Sequence, residues 1–298
     1  MKKNQSKLLF ILSMLIFGSI GIFRKYIPLS SSVIAFSRGF IGVLFLLVLI
    51  LLKKDKLNKK SIKDNLWLLI ISGSFIGLNW VFLFESYKYT SVATATLCYY
   101  MAPIFVMIAS TFLFKERLSL INVVCILIAL IGMVFVSGVI ETGFNDKNTL
   151  IGVIYGLLAA LLYASVIIIN KFMKPIPSID KTVMQLLFSV VILIPYILIG
   201  QEFKGMIINL EIILLLLIVG VVHTGLAYAL YFDSMKGLKT QSIAILSYID
   251  PVVAIILSAL ILKENMSIFA IIGAVLILGS TFINEMINNR KIEKDCVE

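Results

Sequence analysis

The chain has 298 residues, 60% of them hydrophobic and only 14% charged, with 26 Lys and Arg, 16 Asp and Glu, and one histidine. A soluble domain carries about a quarter charged residues, so a mean hydropathy of +1.07 excludes that class and points to an integral membrane protein. Three cysteines without CxxC spacing exclude a disulfide framework. One histidine, no HExxH and no GxxxxGK[ST] argue against a metal centre, a nucleotide-driven pump and a membrane enzyme, so no cofactor is expected.

The first element is the apolar run 8–23 behind MKKNQSK. It imitates a secretory leader but lacks an A-x-A-like site and is followed by more spans, so it reads as a first transmembrane helix. Further runs fall at 32–52, 66–87, 92–114, 119–140, 150–170, 182–200, 210–232, 240–262 and 267–286, which predicts ten spans. A span needs about 20 residues, and unbroken apolar runs exclude the alternating pattern of a barrel. The fold class is all-α. With the N-terminus inside, internal segments hold 19 Lys and Arg and external loops 6, which places both termini in the cytoplasm. The KKDKLNKKSIK run then reads as a topology anchor, and no nucleic-acid partner is expected.

The chain also repeats itself. Shifted by 148 residues, GLNWVFLFESYK (77–88) lies over GLAYALYFDSMK (225–236), and CYYMAPIFVMIASTFLFKERLS lies over LSYIDPVVAIILSALILKENMS. Tyr100 meets Tyr248, Pro103 meets Pro251, Ser110 meets Ser258, and Lys115-Glu116 meets Lys263-Glu264. LIFGSIGIFRKY matches LLYASVIIINKF at a shift of 146. Two units follow, 1–148 and 149–298, each with five helices. Five is odd, so the second unit enters the membrane inverted, the architecture of alternating-access transporters.

These motifs resemble the EamA-type branch of the drug/metabolite transporter superfamily, across essentially the whole chain. The resemblance implies a carrier for a small organic solute, more commonly an exporter, and leaves the substrate open. Glu85 departs from the family's usual small residue, and FGS (17–19) lacks the tryptophan that commonly precedes the glycine.

Asp250 falls near the middle of its span, where an acid costs roughly 2.5–3.5 kcal/mol and usually faces a cavity. Pro251 removes an amide hydrogen and frees the Ser247 carbonyl; Pro103 does the same for Tyr99. Asp250 therefore reads as a substrate- and proton-binding group, or else as a packing or capping residue of a broken helix. His223 is a candidate partner in a proton relay, or a buried structural donor. Glu85 and Asp233 occupy equivalent helix ends and read as gate residues or as solvated interfacial charges. Arg38 is a third gate candidate; it attracts a carboxylate, or it snorkels to the interface, the reading the resemblance favours. Trp80, Tyr99, Tyr100, Tyr163, Tyr228 and Tyr248, with Asn79, fall on the helices that line the central cavity in the resembled fold. Such aromatics suit an amphipathic solute or a cation.

The expectation is thus a secondary transporter of the cell membrane for an amino acid, amine or drug-like solute. A flippase for a lipid-linked substrate and a non-transporting sensor are the alternatives. Gly73-xxx-Gly77 and Gly152-xxx-Gly156 allow close helix approach, within the bundle in preference to a homodimer.

Overall fold

The structure is a computed structural model and describes residues 3–114, 119–142, 146–202, 206–235, 238 and 240–295. Among them the regular structure is entirely helical. We label the apolar helices α1 (Lys3–Tyr26), α2 (Ser31–Leu52), α3 (Leu66–Tyr89), α4 (Val92–Tyr99 and Ala102–Leu113), α5 (Leu120–Val136), α6 (Lys147–Phe172) and α7 (Ser178–Ile199). Then come α8 (Leu210–Leu217, Ile218–Leu226 and Ala227–Met235), α9 (Thr240–Ser247 and Ile249–Leu260) and α10 (Ile268–Asp295). Among the described residues, seven stretches are long and apolar enough to cross a membrane, and three apolar helices, Leu120–Val136, Ile249–Leu260 and Ile268–Asn284, are shorter.

Local chemistry sets the helix ends. Ser30, Asn58, Ser91, Ser119, Asp146 and Asn209 each accept a backbone N–H of the first turn through the side chain. The predicted run 119–140 ends early because Gly138 adopts φ +74°, a left-handed stop that only glycine takes at little cost. Val139–Thr142 forms a separate short turn beyond it.

The core is apolar, as in a soluble protein, but large apolar side chains also cover the surface while polar ones lie inside. Leu120, Ile199 and Phe112 are each more than three-quarters exposed, whereas Ser72, Ser86, Gln185, Asn79 and Thr224 lie inside. Lipid is the solvent that removes the cost of the first set, and interhelical hydrogen bonds satisfy the second. The Asn79 amide donates to the Ala159 carbonyl at 2.5 Å and the Ser86 hydroxyl to the Gly152 carbonyl at 2.7 Å, tying α3 to α6. The two glycine pairs work inside the chain as well. A Cβ on Gly73 would meet the Gln185 backbone of α7, and one on Gly156 would meet Cys98 of α4.

The packing has a regular pattern. α3 packs on α6 and α7, and α8 packs on α1 and α2; α1 lies along α9 and α6 along α4; α2 meets α7 and α5 meets α10. Adding five to each number in the first half returns the same set of pairs. Directions follow from individual contacts. Gly18 lies on Asp250 and Val253 while Lys25 reaches Glu264, so α1 runs parallel to the second piece of α9. Gly152 lies on Thr90 and Gly156 on Cys98, so α6 runs parallel to α4. Val92 meets Glu264 and Tyr100 meets Asp250, so α4 and α9 run antiparallel. The ring of Phe135 lies 5.9 Å from that of Phe269, and Gly132 lies against Gly273, so α5 and α10 also oppose each other.

Candidate functional site

Both prolines do their work one turn upstream of themselves. α4 breaks at Tyr100–Met101 and restarts at Ala102, which puts Pro103 in the first turn of the new helix. α9 breaks around Tyr248 and restarts at Ile249, with Pro251 in the first turn. A first-turn proline is tolerated because its missing N–H would have had no partner there. The break places Asp250 in the same turn, where the positive end of the helix favours an anion.

The two breaks touch. The Tyr100 hydroxyl donates to Asp250 Oδ2 at 3.0 Å and lies 3.5 Å from the Ser247 carbonyl, the group that Pro251 frees. The Asp250 carboxylate therefore faces across to α4, and no side-chain cap forms at the start of its own helix. Asp250, Tyr99, Tyr100 and Tyr248 are half-buried. Tyr163 is 40% exposed although it sits among these rings, 5.4 Å from Tyr99.

α1 carries the site onward. A Cβ on Gly18 would stand 2.5 Å from the Asp250 carbonyl oxygen, so only glycine lets α1 approach that closely. The next residue, Ser19, lies 2.9 Å from Nε2 of His223, and His223 Nδ1 lies 3.4 Å from the Ile218 carbonyl. The Ser19 hydroxyl also reaches the Ile16 carbonyl at 2.8 Å. A hydroxyl has one proton, so a neutral imidazole leaves one of these three contacts without a hydrogen. His223 and Asp250 thus stand on adjoining faces of α1 and make their hydrogen bonds through different residues.

His223 and Thr224 lie on a π-helical stretch, Ile218–Leu226. The wider turn lets the Thr224 hydroxyl donate to the Val219 carbonyl, five residues back, at 3.1 Å, and π segments recur at functional sites. Thr224 in turn accepts from Arg38 Nε at 3.1 Å. The Arg38 guanidinium stacks 4.1 Å from the Trp80 ring centroid and 5.5 Å from that of Phe84. Arg38 is only 4% exposed, so its stem does not snorkel to the interface.

A continuous belt therefore crosses the bundle: Tyr163, Tyr99, Tyr100, Asp250, the Gly18-Ser19 step, His223, Thr224, Arg38 and Trp80, drawn from α6, α4, α9, α1, α8, α2 and α3. Tyr228 adjoins it through Phe17, at 5.3 Å between centroids, and Tyr248 packs on Phe282 at 5.3 Å. Asn79 points its amide into the α3–α6 contact instead. Glu85 pairs with Lys88 of its own helix at 2.6 Å, and Asp233 is half-buried near the end of α8. Sequence reasoning missed Ser19 and Thr224. The available signals were the FGS departure and the hydroxyl beside the lone histidine.

A family model described as the EamA-like transporter family matches residues 5–138 and again residues 150–286. The chain belongs to this family. The chain is 32% identical over 280 residues to the uncharacterized transporter YxxF of Bacillus subtilis (strain 168), covering 93% of this chain and 88% of that one. It is 28% identical over 216 residues to a probable amino-acid metabolite efflux pump of Salmonella typhimurium (strain LT2), 68% of this chain and 71% of that one. A crystal structure 16% identical in sequence superposes with a TM-score of 0.65 across 97% of this chain and 99% of the other, a likeness of fold. The protein is a multi-pass membrane transporter of the EamA family, within the drug/metabolite transporter superfamily.

Proposed function

We propose that this transporter is a secondary active exporter of a small organic metabolite, an amino acid or amine, in the cell membrane with both termini cytoplasmic. It works by alternating access between two inverted five-helix repeats, residues 1–148 and 149–298, and couples to protons through Asp250.

The observation that carries this reading is the Tyr100–Asp250 contact between the two broken helices. Breaks and ionisable groups inside apolar bundles are tolerated where they line a cavity. Here one carboxylate, one freed carbonyl and several tyrosine rings meet where α4 and α9 cross antiparallel. The carboxylate suits an ammonium group, and the flanking rings suit an aliphatic or aromatic side chain. Support for inversion comes from the opposed directions of α4 and α9 and of α5 and α10, and from the two separate matches of one family model. Support for the substrate class comes from the relative named as an amino-acid metabolite efflux pump. His223 and Ser19 extend the belt away from Asp250 and offer a second proton position; Arg38 fixes α2 to the π segment of α8.

The test is a thermal-shift screen of amino acids and amines on the purified protein at two pH values, followed by counterflow of any stabilising solute in proteoliposomes. Counterflow of an amino acid or amine is the expected result. Binding without exchange would replace the carrier with a sensor, and exchange only of lipid-linked substrates would replace it with a flippase.

A further inference from the structure

The loop after α2 is strongly basic: residues 53–63 hold six lysines and one aspartate. Among the described residues none of these lysines pairs with a carboxylate. α2 ends in a Schellman turn, in which the Lys54 amide donates to the Leu51 carbonyl and the Asp55 amide to the Ile50 carbonyl, both at 3.1 Å. Lys54 holds the left-handed position of that turn, at φ +55°, which glycine usually takes. The turn folds the loop back along its own helix. Leu57 of the loop and Leu47 of α2 then pack against the core cluster that contains Ile50.

Between helix and loop runs a groove of about 580 Å3. Its apolar lining is Leu47, Ile50, Leu51 and Leu57, and its charged lining is Lys56, Lys59 and Asp55. Neighbouring elements hold the loop in place. The Asn58 amide donates to Asp180 Oδ2 of α7 at 2.9 Å, and the Asn65 side chain donates to the Lys174 carbonyl at 3.3 Å and accepts from the Lys174 amide at 2.8 Å. The groove is therefore preformed, which lowers the ordering cost of binding. Leu51 and Leu52 are each 74% exposed just before the lysines, and Trp67 is 76% exposed just after the loop. Exposed leucines that give way to lysines, with a tryptophan beside them, mark the boundary between membrane and water. The groove thus opens at the level of the phospholipid headgroups.

We propose that this groove is a binding site for one anionic diacyl phospholipid, its phosphodiester between the Lys56 and Lys59 ammonium groups and one acyl chain along Leu47, Ile50, Leu51 and Leu57. Charge complementarity selects the occupant. Lys56, Lys59 and Asp55 sum to +1, which one phosphodiester neutralises. A zwitterionic headgroup brings its own cation and leaves that sum unchanged, and Asp55 repels a second phosphate. The apolar walls call for hydrocarbon, so a free phosphate lacks half of the fit. Each lysine beside an anionic lipid headgroup contributes about fivefold in affinity. The bound lipid joins α2 to a loop that α7 already holds, so binding raises the stability of the folded chain by linkage.

The test titrates the full chain, purified in a neutral detergent, with dioleoylphosphatidylglycerol; native mass spectrometry reads bound lipid, and the melting temperature is followed alongside. One lipid should bind saturably and raise the melting temperature. Dioleoylphosphatidylcholine and glycerol phosphate should do neither. Lys56→Gln/Lys59→Gln should weaken binding by about 25-fold, and Leu51→Gln should weaken it with the charge unchanged. Lys53→Gln/Lys60→Gln removes the same charge from the same loop outside the groove and should cost less than about threefold. All five positions are exposed, so these variants keep the fold. Equal losses for the two lysine pairs would reveal a diffuse basic surface, equal binding of phosphatidylcholine an apolar crevice, and stabilisation by glycerol phosphate a free-phosphate site. Each of these results overturns the proposal, as does undiminished binding to Leu51→Gln.

Discussion

The α5–α10 crossing gives a test of the packing that needs no substrate. Gly132 and Gly273 meet backbone to backbone: a Cβ on Gly273 would stand 2.5 Å from the Gly132 carbonyl oxygen, 2.7 Å from a Val136 methyl and 3.0 Å from the Phe135 Cβ. Ordinary contact begins near 3.5 Å, so Gly273→Ala requires the helices to separate by about 1 Å at that point. A carbonyl cannot rotate away as a side-chain tip can. Overpacking of this kind costs about 1–3 kcal/mol, against which the better helix propensity of alanine returns up to about 1 kcal/mol. Gly279 lies two turns further along the same helix, and a Cβ there meets nothing within 4 Å. Gly279→Ala therefore keeps only the propensity gain. Thermal unfolding in detergent should show Gly273→Ala below wild type and Gly279→Ala at or above it. Equal shifts for the two variants would refute the close α5–α10 contact at Gly132.

Other sites separate packing from transport. Tyr100→Phe removes one oxygen and with it the hydroxyl donor to Asp250; a hydrogen bond to a charged group contributes about 1.5–3 kcal/mol, so exchange should fall by at least about tenfold with expression unchanged. Asn79→Leu leaves the Ala159 carbonyl without its amide donor and should lower the melting temperature, at a cost of about 1–3 kcal/mol, while exchange persists. Arg38→Met replaces a buried cation with an apolar chain of similar length, so relief of the desolvation cost of the charge offsets the lost contacts; exchange should be lost with the melting temperature held, because the tie between α2 and Thr224 is gone.

The repeat was legible because Gly, Pro, Tyr and Lys-Glu stand out against an aliphatic background. The helices were legible because lipid demands unbroken apolar runs, and Gly138 alone shortened one of them. Asp250 could be singled out because a carboxylate in such a run is costly; its partner Tyr100 was visible only as one tyrosine among several. The π stretch was not legible. It depends on Gly220 and Gly225 meeting Ile41 and Phe45 of α2, and no local pattern encodes that contact. Arg38 illustrates the same limit, since a stem that snorkels and one that stacks on Trp80 have the same sequence. Asn79 marks its converse: a polar residue on a cavity-lining helix whose side chain turns to the neighbouring helix.

The most direct test of the account compares wild type with Asp250→Asn in proteoliposomes loaded with the amino acid or amine identified by counterflow. Imposing a pH gradient should drive accumulation in wild type. In Asp250→Asn that accumulation should vanish, and the protein should remain folded and monodisperse. Undiminished pH-driven accumulation in the variant would contradict the account, because the group at the meeting point of the two broken helices would then carry no protons.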